Sequence, residues 1–196
     1  MAVKPGHGTA QVQPAGSYQV QNEESLVRKA QQRDQEAFAQ LYEENFDKIY
    51  RYIVLKIGNK AEAEDMTQQV FLKALQSISS FKWKGVAFSA WLFRIAHNQV
   101  VDYLRKKTKR VTAPLDDSLP SSERSPEMVT EGKLDIEQLI IATRQLTAAQ
   151  REVISLRFAG ELPIAQVARV MGKSEGAVKA LQHSAILALR KVLAPE

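Results

Sequence analysis

The stretch from Phe81 to Arg110, FKWKGVAFSAWLFRIAHNQVVDYLRKKTKR, combines two kinds of side chain that handle nucleic acid. Phe81, Trp83, Phe88, Trp91 and Phe93 fall within thirteen residues. Arg94, Arg105, Lys106, Lys107, Lys109 and Arg110 follow, and Asp102 is the one acid among them. Aromatic faces stack on unpaired bases, and guanidinium and ammonium groups seek phosphates. Together they point to a chain that handles opened, single-stranded nucleic acid. A competing reading applies to parts of the stretch. Aromatics at helical spacing usually belong to a core, which is the expectation for Trp91 and Phe93. A lysine-rich helix end can be only a solvated face. Trp83 stands apart, in a Lys-Trp-Lys-Gly loop where burial is less assured.

Bond-making chemistry finds little support. His7, His97 and His183 are scattered and show no metal-ligand spacing such as HExxH. There is no glycine-rich phosphate cradle. With no cysteine, thiolate metal sites, disulfides and cysteine catalysis are excluded. The expectation is a protein that is not an enzyme and needs no cofactor or metal. Hydrophobic residues make up 44% of the 196, enough for a core, and the net charge of +5 is mild for a nucleic-acid binder. No apolar run approaches the ~18 residues that span a membrane, and the first residues lack the apolar centre of a signal peptide. A soluble, cytoplasmic protein without membrane insertion is expected.

Helices must position these groups. Residues 1–21 lack periodicity and read as a disordered tail, with a short helix starting near Glu23. Asp34 reads as the N-cap of a long amphipathic helix that Gly58-Asn59 ends. A third helix runs from about Lys60 to Ser79, with Met66, Val70, Phe71, Ala74, Leu75 and Ile78 as its buried stripe. A fourth runs from Phe88 or Ser89 to about Arg110, its inner face Trp91, Leu92, Ile95, Ala96, Val100 and Leu104. Residues 111–131 carry three prolines and the acids Asp116, Asp117, Glu123, Glu127 and Glu131, and read as a flexible acidic linker. Beyond it, Thr147 and Gln150 form a capping box, Pro163 opens a short helix, Gly172 makes a turn and Ser174 caps the last helix. Two helices joined by a glycine-containing turn make the helix-turn-helix pattern. An ordinary helical hairpin is the plain alternative, but the inward set Ile164, Val167, Ala168, Val178 and Leu181 favours the DNA-binding form. The fold class is therefore all-α: a helical domain over 22–110 and a smaller helix-turn-helix domain over 132–194.

A DNA-binding helix of this kind exposes Ser174, Glu175, Ala177, Lys179, Gln182 and His183 to base edges, with Arg157, Lys173 and Arg190 placed for phosphates. Two weak DNA sites on one chain gain from effective concentration. On the third helix, Asp65, Gln68, Gln69 and Leu72 lie away from the buried stripe, either as a solvated face or as a protein-docking one.

The blocks AEAEDMTQQVFLKAL, FSAWLFRIAHNQVVDYLRKK, LTAAQREVISLRF and SEGAVKALQHSAILALR, in this order from about Glu23 to Leu193, resemble the sigma factors of bacterial RNA polymerase. The resemblance is to the sigma-70 class, in its small extracytoplasmic-function (ECF) form. It implies that Asp65, Gln68, Gln69, Phe71 and Leu72 dock on the coiled coil of the polymerase's largest subunit. It further implies that Lys82, Trp83, Lys84 and Gly85 capture a flipped base of the minus-ten element. His97, Asn98, Val101, Asp102, Arg105 and Lys106 would face that element. The second domain would read the minus-thirty-five element and touch the polymerase flap. The acidic linker would thread the RNA exit path. The implied partners are core RNA polymerase and promoter DNA; the family often uses an anti-sigma factor, which leaves such a partner open here. The runner-up reading is a free-standing helix-turn-helix regulator, which would need no polymerase-docking helix. A membrane-surface protein fits poorly, because the basic helix has no matching apolar tail.

Overall fold

The computed structural model describes residues 15–83, 86–111 and 136–193. Among them, four helices build the first half: α1 (Ala15–Gln31), α2 (Gln35–Ile57), α3 (Lys60–Ser77) and α4 (Phe88–Val111). The second half holds α5 (Ile136–Arg144), α6 (Ala148–Ile154), α7 (Ile164–Met171) and α8 (Glu175–Leu193). α1 begins at Ala15, well before the expected start near Glu23, so the tail read over 1–21 overlaps a helix; the remaining tail residues and most of the 111–131 linker lie outside the described residues.

The helix ends follow the side chains that can satisfy them. Asp34 accepts from the Ala37 N–H at 3.1 Å and starts α2. Gly58, at φ 73°, ends it in the left-handed conformation and returns its N–H to the Val54 carbonyl. Asn59 then accepts from Glu62 N–H at 3.1 Å, so α3 restarts within two residues and folds back on α2. Thr147 and Gln150 make both bonds of the capping box. α6 runs on into a π-helical turn over Ser155–Ala159 before Gly160. Gly172, at φ 62°, closes α7, and Ser174 accepts from the Ala177 N–H to open α8.

The first half packs around Leu41, Ile49, Ile53, Val70, Phe88, Leu92 and Val100, all fully buried. Two expectations fail at the edges of this core. Leu75 is 49% exposed, because it opens onto a groove beside Phe38 and Tyr42 that no helix among the described residues fills. Leu104 is exposed because the side of α4 that meets α3 after Val100 carries Tyr103, whose hydroxyl donates to Glu62. Trp91 is half-buried, its ring against Phe81 and Phe88 at 5.2 and 5.5 Å.

The halves are not separate beads. α7 packs on α4, and α5, α6 and the π turn pack on α2. Val153, Leu156, Ala159, Leu162, Val167 and Val178 join the residues of the first half in one continuous core.

Candidate nucleic-acid and polymerase interface

The aromatic-basic stretch is set in place by α1. Gln31 Nε2 donates to the carbonyls of Ile78 and Phe81 at 3.0 and 2.8 Å, which fixes where the loop after α3 leaves. Glu23 accepts from the Ser89 N–H and so anchors the first turn of α4. Burial pushes the Glu23 carboxyl up from its ordinary pKa, and the N–H groups of Ser89 and Phe88 partly offset that. Phe81 is the hub: Trp83 and Phe88 meet it edge-on, with ring centres 5.7 and 5.9 Å away. Trp83 is half-buried and Lys82 is exposed, while Lys84 and Gly85 lie outside the described residues.

Along α4, Asn98, Val101, Asp102 and Arg105 repeat at three- and four-residue steps and share one exposed face, with Lys106 beside them. Arg105 reaches Asp102 at 3.0 Å, a surface pair of little energetic weight. His97 behaves differently. It lies one helical turn from buried Phe93 and Val100, and its ring turns towards the second half.

On α3, Asp65, Gln68, Gln69 and Leu72 form a continuous exposed face. Leu72 is 56% exposed and Leu75 extends its apolar surface. Phe71 is buried against Tyr42 and Phe46, with ring centres 4.6 and 6.2 Å away, so it supports this face from beneath and cannot present itself to a partner. Beside the face lies a groove of about 640 Å³, lined by Phe38, Tyr42 and Leu75 among others; of these, Leu75 had been expected in the buried stripe of α3.

In the second half, Lys173, Ser174, Glu175, Ala177, Lys179 and His183 are exposed around the start of α8. Arg157 and Gln182 are tied to each other: Arg157 Nε donates to Gln182 Oε1 at 3.1 Å, and another guanidinium N–H goes to the Leu162 carbonyl. Arginine has no acceptor, so Gln182 must turn its oxygen to Arg157. That pairing removes Arg157 from the set of uncommitted cations.

The sequence reading missed a charged cluster at the seam between halves. Glu152 of α6 is buried and gathers three groups from α2 and α4. Lys56 Nζ lies 2.7 Å from Oε2, His97 Nδ1 lies 2.9 Å from Oε1, and Tyr52 Oη donates to Oε1 at 2.8 Å. Burial alone would raise the Glu152 pKa, but the His97 hydrogen bond and the Lys56 charge outweigh it and hold the carboxyl at about 2. Burial, with Glu152 beside it, pushes the Tyr52 phenol well above its ordinary value. Around the cluster the seam is apolar and tight. Phe93 meets Tyr52 edge-on at 5.5 Å, and a methyl added at Gly160 would lie 2.7 Å from the Phe93 ring. At the rim, Glu161 pairs with Lys48 at 3.0 Å and lies 3.9 Å from Arg51. The sequence holds a partial signal for this seam: the consecutive run Tyr52-Ile53-Val54-Leu55 near the end of α2 is apolar all round, which a one-sided surface helix would not need, and the structure buries it.

Comparison with known proteins places these features in one family. Residues 41–110 match Sigma-70 region 2, and residues 142–191 match Sigma-70 region 4. The ECF RNA polymerase sigma factor SigW of Bacillus subtilis is 31% identical over 179 residues, covering 85% of this chain and 94% of SigW. This chain belongs to the ECF RNA polymerase sigma factors. The ECF sigma factor BldN of Streptomyces coelicolor is 41% identical over 170 residues, covering 86% of this chain, but the match spans 64% of BldN. Among solved structures, the sigma factor RpoE of Bartonella quintana, in complex with the anti-sigma factor NepR, is 26% identical with a TM-score of 0.69; the match covers 80% of this chain and 96% of RpoE. CnrH, solved with the cytosolic domain of CnrY, has a TM-score of 0.68 at 22% identity and shares the fold; it covers 88% of this chain and 97% of that one. As a sigma factor the chain serves transcription initiation and is not an enzyme. The free-standing regulator is set aside, because such a protein has no region 2.

Proposed function

We propose that this sigma factor docks on the coiled coil of the largest polymerase subunit through Asp65, Gln68, Gln69 and Leu72, with Phe71 holding that face in shape. Region 2, over 22–110, then meets the minus-ten element. The Lys82–Gly85 loop takes a flipped base beside the Phe81 cluster, and Asn98, Val101, Asp102, Arg105 and Lys106 of α4 lie along the opened strand. Unstacking a base costs a few kcal/mol, and stacking contacts of ~1–3 kcal/mol per base can offset it. Region 4, over 132–194, reads the minus-thirty-five element with the start of α8. Lys173 and Lys179 add phosphate contacts that carry affinity without sequence information and weaken with salt. Residues 111–131 connect the two along the RNA exit path.

The observation that carries this reading is that one chain of the family joins regions 2 and 4 and exposes the polar-apolar face of α3, the Asn98–Arg105 face of α4 and the start of α8. A cytoplasmic site of action follows from the partner, and no helix among the described residues is long and apolar enough to cross a membrane. Because the Bartonella relative is held by an anti-sigma factor, an inhibitory protein partner is proposed for this chain as well. The test is run-off transcription with bacterial core polymerase on a randomised promoter library. Enrichment of one paired motif is expected; no association with core enzyme would refute the proposal.

A further inference from the structure

We propose that Arg157 makes Gln182 a donor-only reader of base edges, which selects guanine over adenine at one position of the minus-thirty-five element. The inference rests on the promoter reading above, in which α8 enters that element, and names the base edge that one of its side chains takes.

The amide supplies the chemistry. A glutamine has an accepting oxygen and a donating nitrogen, which suits adenine, where N7 accepts and N6 donates. That bidentate contact needs both ends of the amide turned to the base. In this chain one end is already taken. Arg157 Nε donates to Gln182 Oε1 at 3.1 Å. A guanidinium carries N–H groups and no acceptor, so the amide nitrogen cannot stand in that place. The end left for a base is the Nε2 amino group, with two donors. Guanine offers it two acceptors, O6 and N7. Adenine brings its own N6 donor to a site made of donors. Thymine, with O4 as its single acceptor, ranks between them.

The pairing is built into the fold. Arg157 belongs to the π-helical turn over Ser155–Ala159, which the Gly160 N–H closes on the Ser155 carbonyl at 2.9 Å. π turns inside helices often mark functional positions, and this one aims Arg157 at α8. A second guanidinium N–H, on Nη1, goes to the carbonyl of Leu162. Leu162 is itself buried, with its N–H on the Leu156 carbonyl at 3.0 Å. Two anchors on one planar group hold its direction. From the other side, Glu175, Lys179 and Gln182 recur at steps of four and three and share one line along α8. Val178, one turn before Gln182, is fully buried. Gln182 is half-buried, so it stands where the packed flank of α8 gives way to the exposed one. Arg157 is thus a positioning residue for base choice, acting through Gln182.

The test uses the full-length chain with core polymerase and a promoter library randomised in its upstream element, read by sequencing the templates of run-off product. Gln182→Leu identifies the position concerned, as the one whose base preference it flattens. There the native chain is expected to favour guanine over adenine by about tenfold or more. Arg157→Leu releases Oε1 and should bring that ratio close to one while other positions keep theirs. A general folding defect would lower all product without moving the ratio at a single position. Gln182→Glu keeps the bond to Arg157 through one carboxylate oxygen and offers the other as an acceptor, so it should exchange guanine for cytosine. This variant decides the matter if Arg157→Leu gives no product, because it leaves Arg157 paired. A native preference for adenine at that position, no position flattened by Gln182→Leu, an unchanged ratio in Arg157→Leu, or guanine retained by Gln182→Glu would each overturn the proposal. A native holoenzyme that enriches no paired motif would instead refute the promoter reading, and the proposal with it.

Discussion

Replacing Glu152 with Gln keeps the side chain's shape and removes its charge. The native carboxylate lies 2.7 Å from Lys56 Nζ, and both side chains are 7% exposed. At an effective dielectric of ~20, the gross attraction across that distance is on the order of 6 kcal/mol. Much of it is offset by the hydration both charges gave up, so the pair itself adds little net stability. Removing only one partner is a different matter, because it leaves the Lys56 ammonium buried and uncompensated. A loss of about 3–5 kcal/mol is expected, a large share of a typical total of ~5–15 kcal/mol. The chain has a cheaper escape: if the seam is worth less than this loss, it opens, Lys56 reaches water, and the cost is capped at the seam's own free energy. Urea unfolding followed by far-UV circular dichroism separates the two routes. A single transition moved to lower urea means the seam stays shut under strain. An early step with a small m-value means it opens first. The double variant Lys56→Met with Glu152→Met should recover most of the loss, giving a coupling of at least ~1 kcal/mol in a double-mutant cycle. A Glu152→Gln protein within ~0.5 kcal/mol of the native one, with an unchanged transition, would show that Glu152 is not buried against Lys56 in solution and refute the seam's geometry.

Other expectations follow from single contacts. Gly160→Ala places a methyl 2.7 Å from Phe93 Cζ and 2.8 Å from the Leu156 carbonyl; a loss of about 1–3 kcal/mol is expected, read as a lower Tm. The Glu152 pKa is about 2 in the fold against an ordinary 4.5. Its stabilising contribution is therefore present above pH 4.5 and lost as pH falls towards 2. The native Tm should drop more steeply over that window than the Tm of Glu152→Gln. Leu72→Asp should weaken co-purification with core polymerase while leaving Tm unchanged, because Leu72 is 56% exposed. Phe71→Ala should instead cost about 3–5 kcal/mol of stability, because its ring is buried on Tyr42 and Phe46. Arg105→Ala should slow promoter opening and lower the salt slope of DNA binding by about one.

Local chemistry was the legible part of this sequence. Asp34, Gly58, Thr147 with Gln150, Gly172 and Ser174 each act where side-chain type and spacing place them, because a cap is decided within three or four residues. The exposed faces of α3 and α4 were also readable from helical period. Periodicity misplaced Leu75 and Leu104, since it names a face without saying whether a neighbour reaches that far along it. The ion pair at the seam was illegible for a stronger reason. Lys56 and Glu152 are 96 positions apart, and a lysine or glutamate on a helix ordinarily means solvent. Only packing across halves reveals that each supplies the other's counter-ion. The same packing turns His97, which the family resemblance placed beside the minus-ten element, towards Glu152.

The cluster around Glu152 also limits how freely the two regions can be exchanged between relatives. Lys56, His97 and Tyr52 come from region 2, and the acid that answers them comes from region 4. A hybrid that joined this region 2 to a region 4 with an apolar residue in place of Glu152 would bury an ammonium with no counter-charge. The opposite hybrid would bury a lone carboxylate. Either graft would keep its exposed faces intact and still be destabilised at the seam. The exposed faces of this chain are exchangeable one at a time, but the charges at the seam are inherited as a pair.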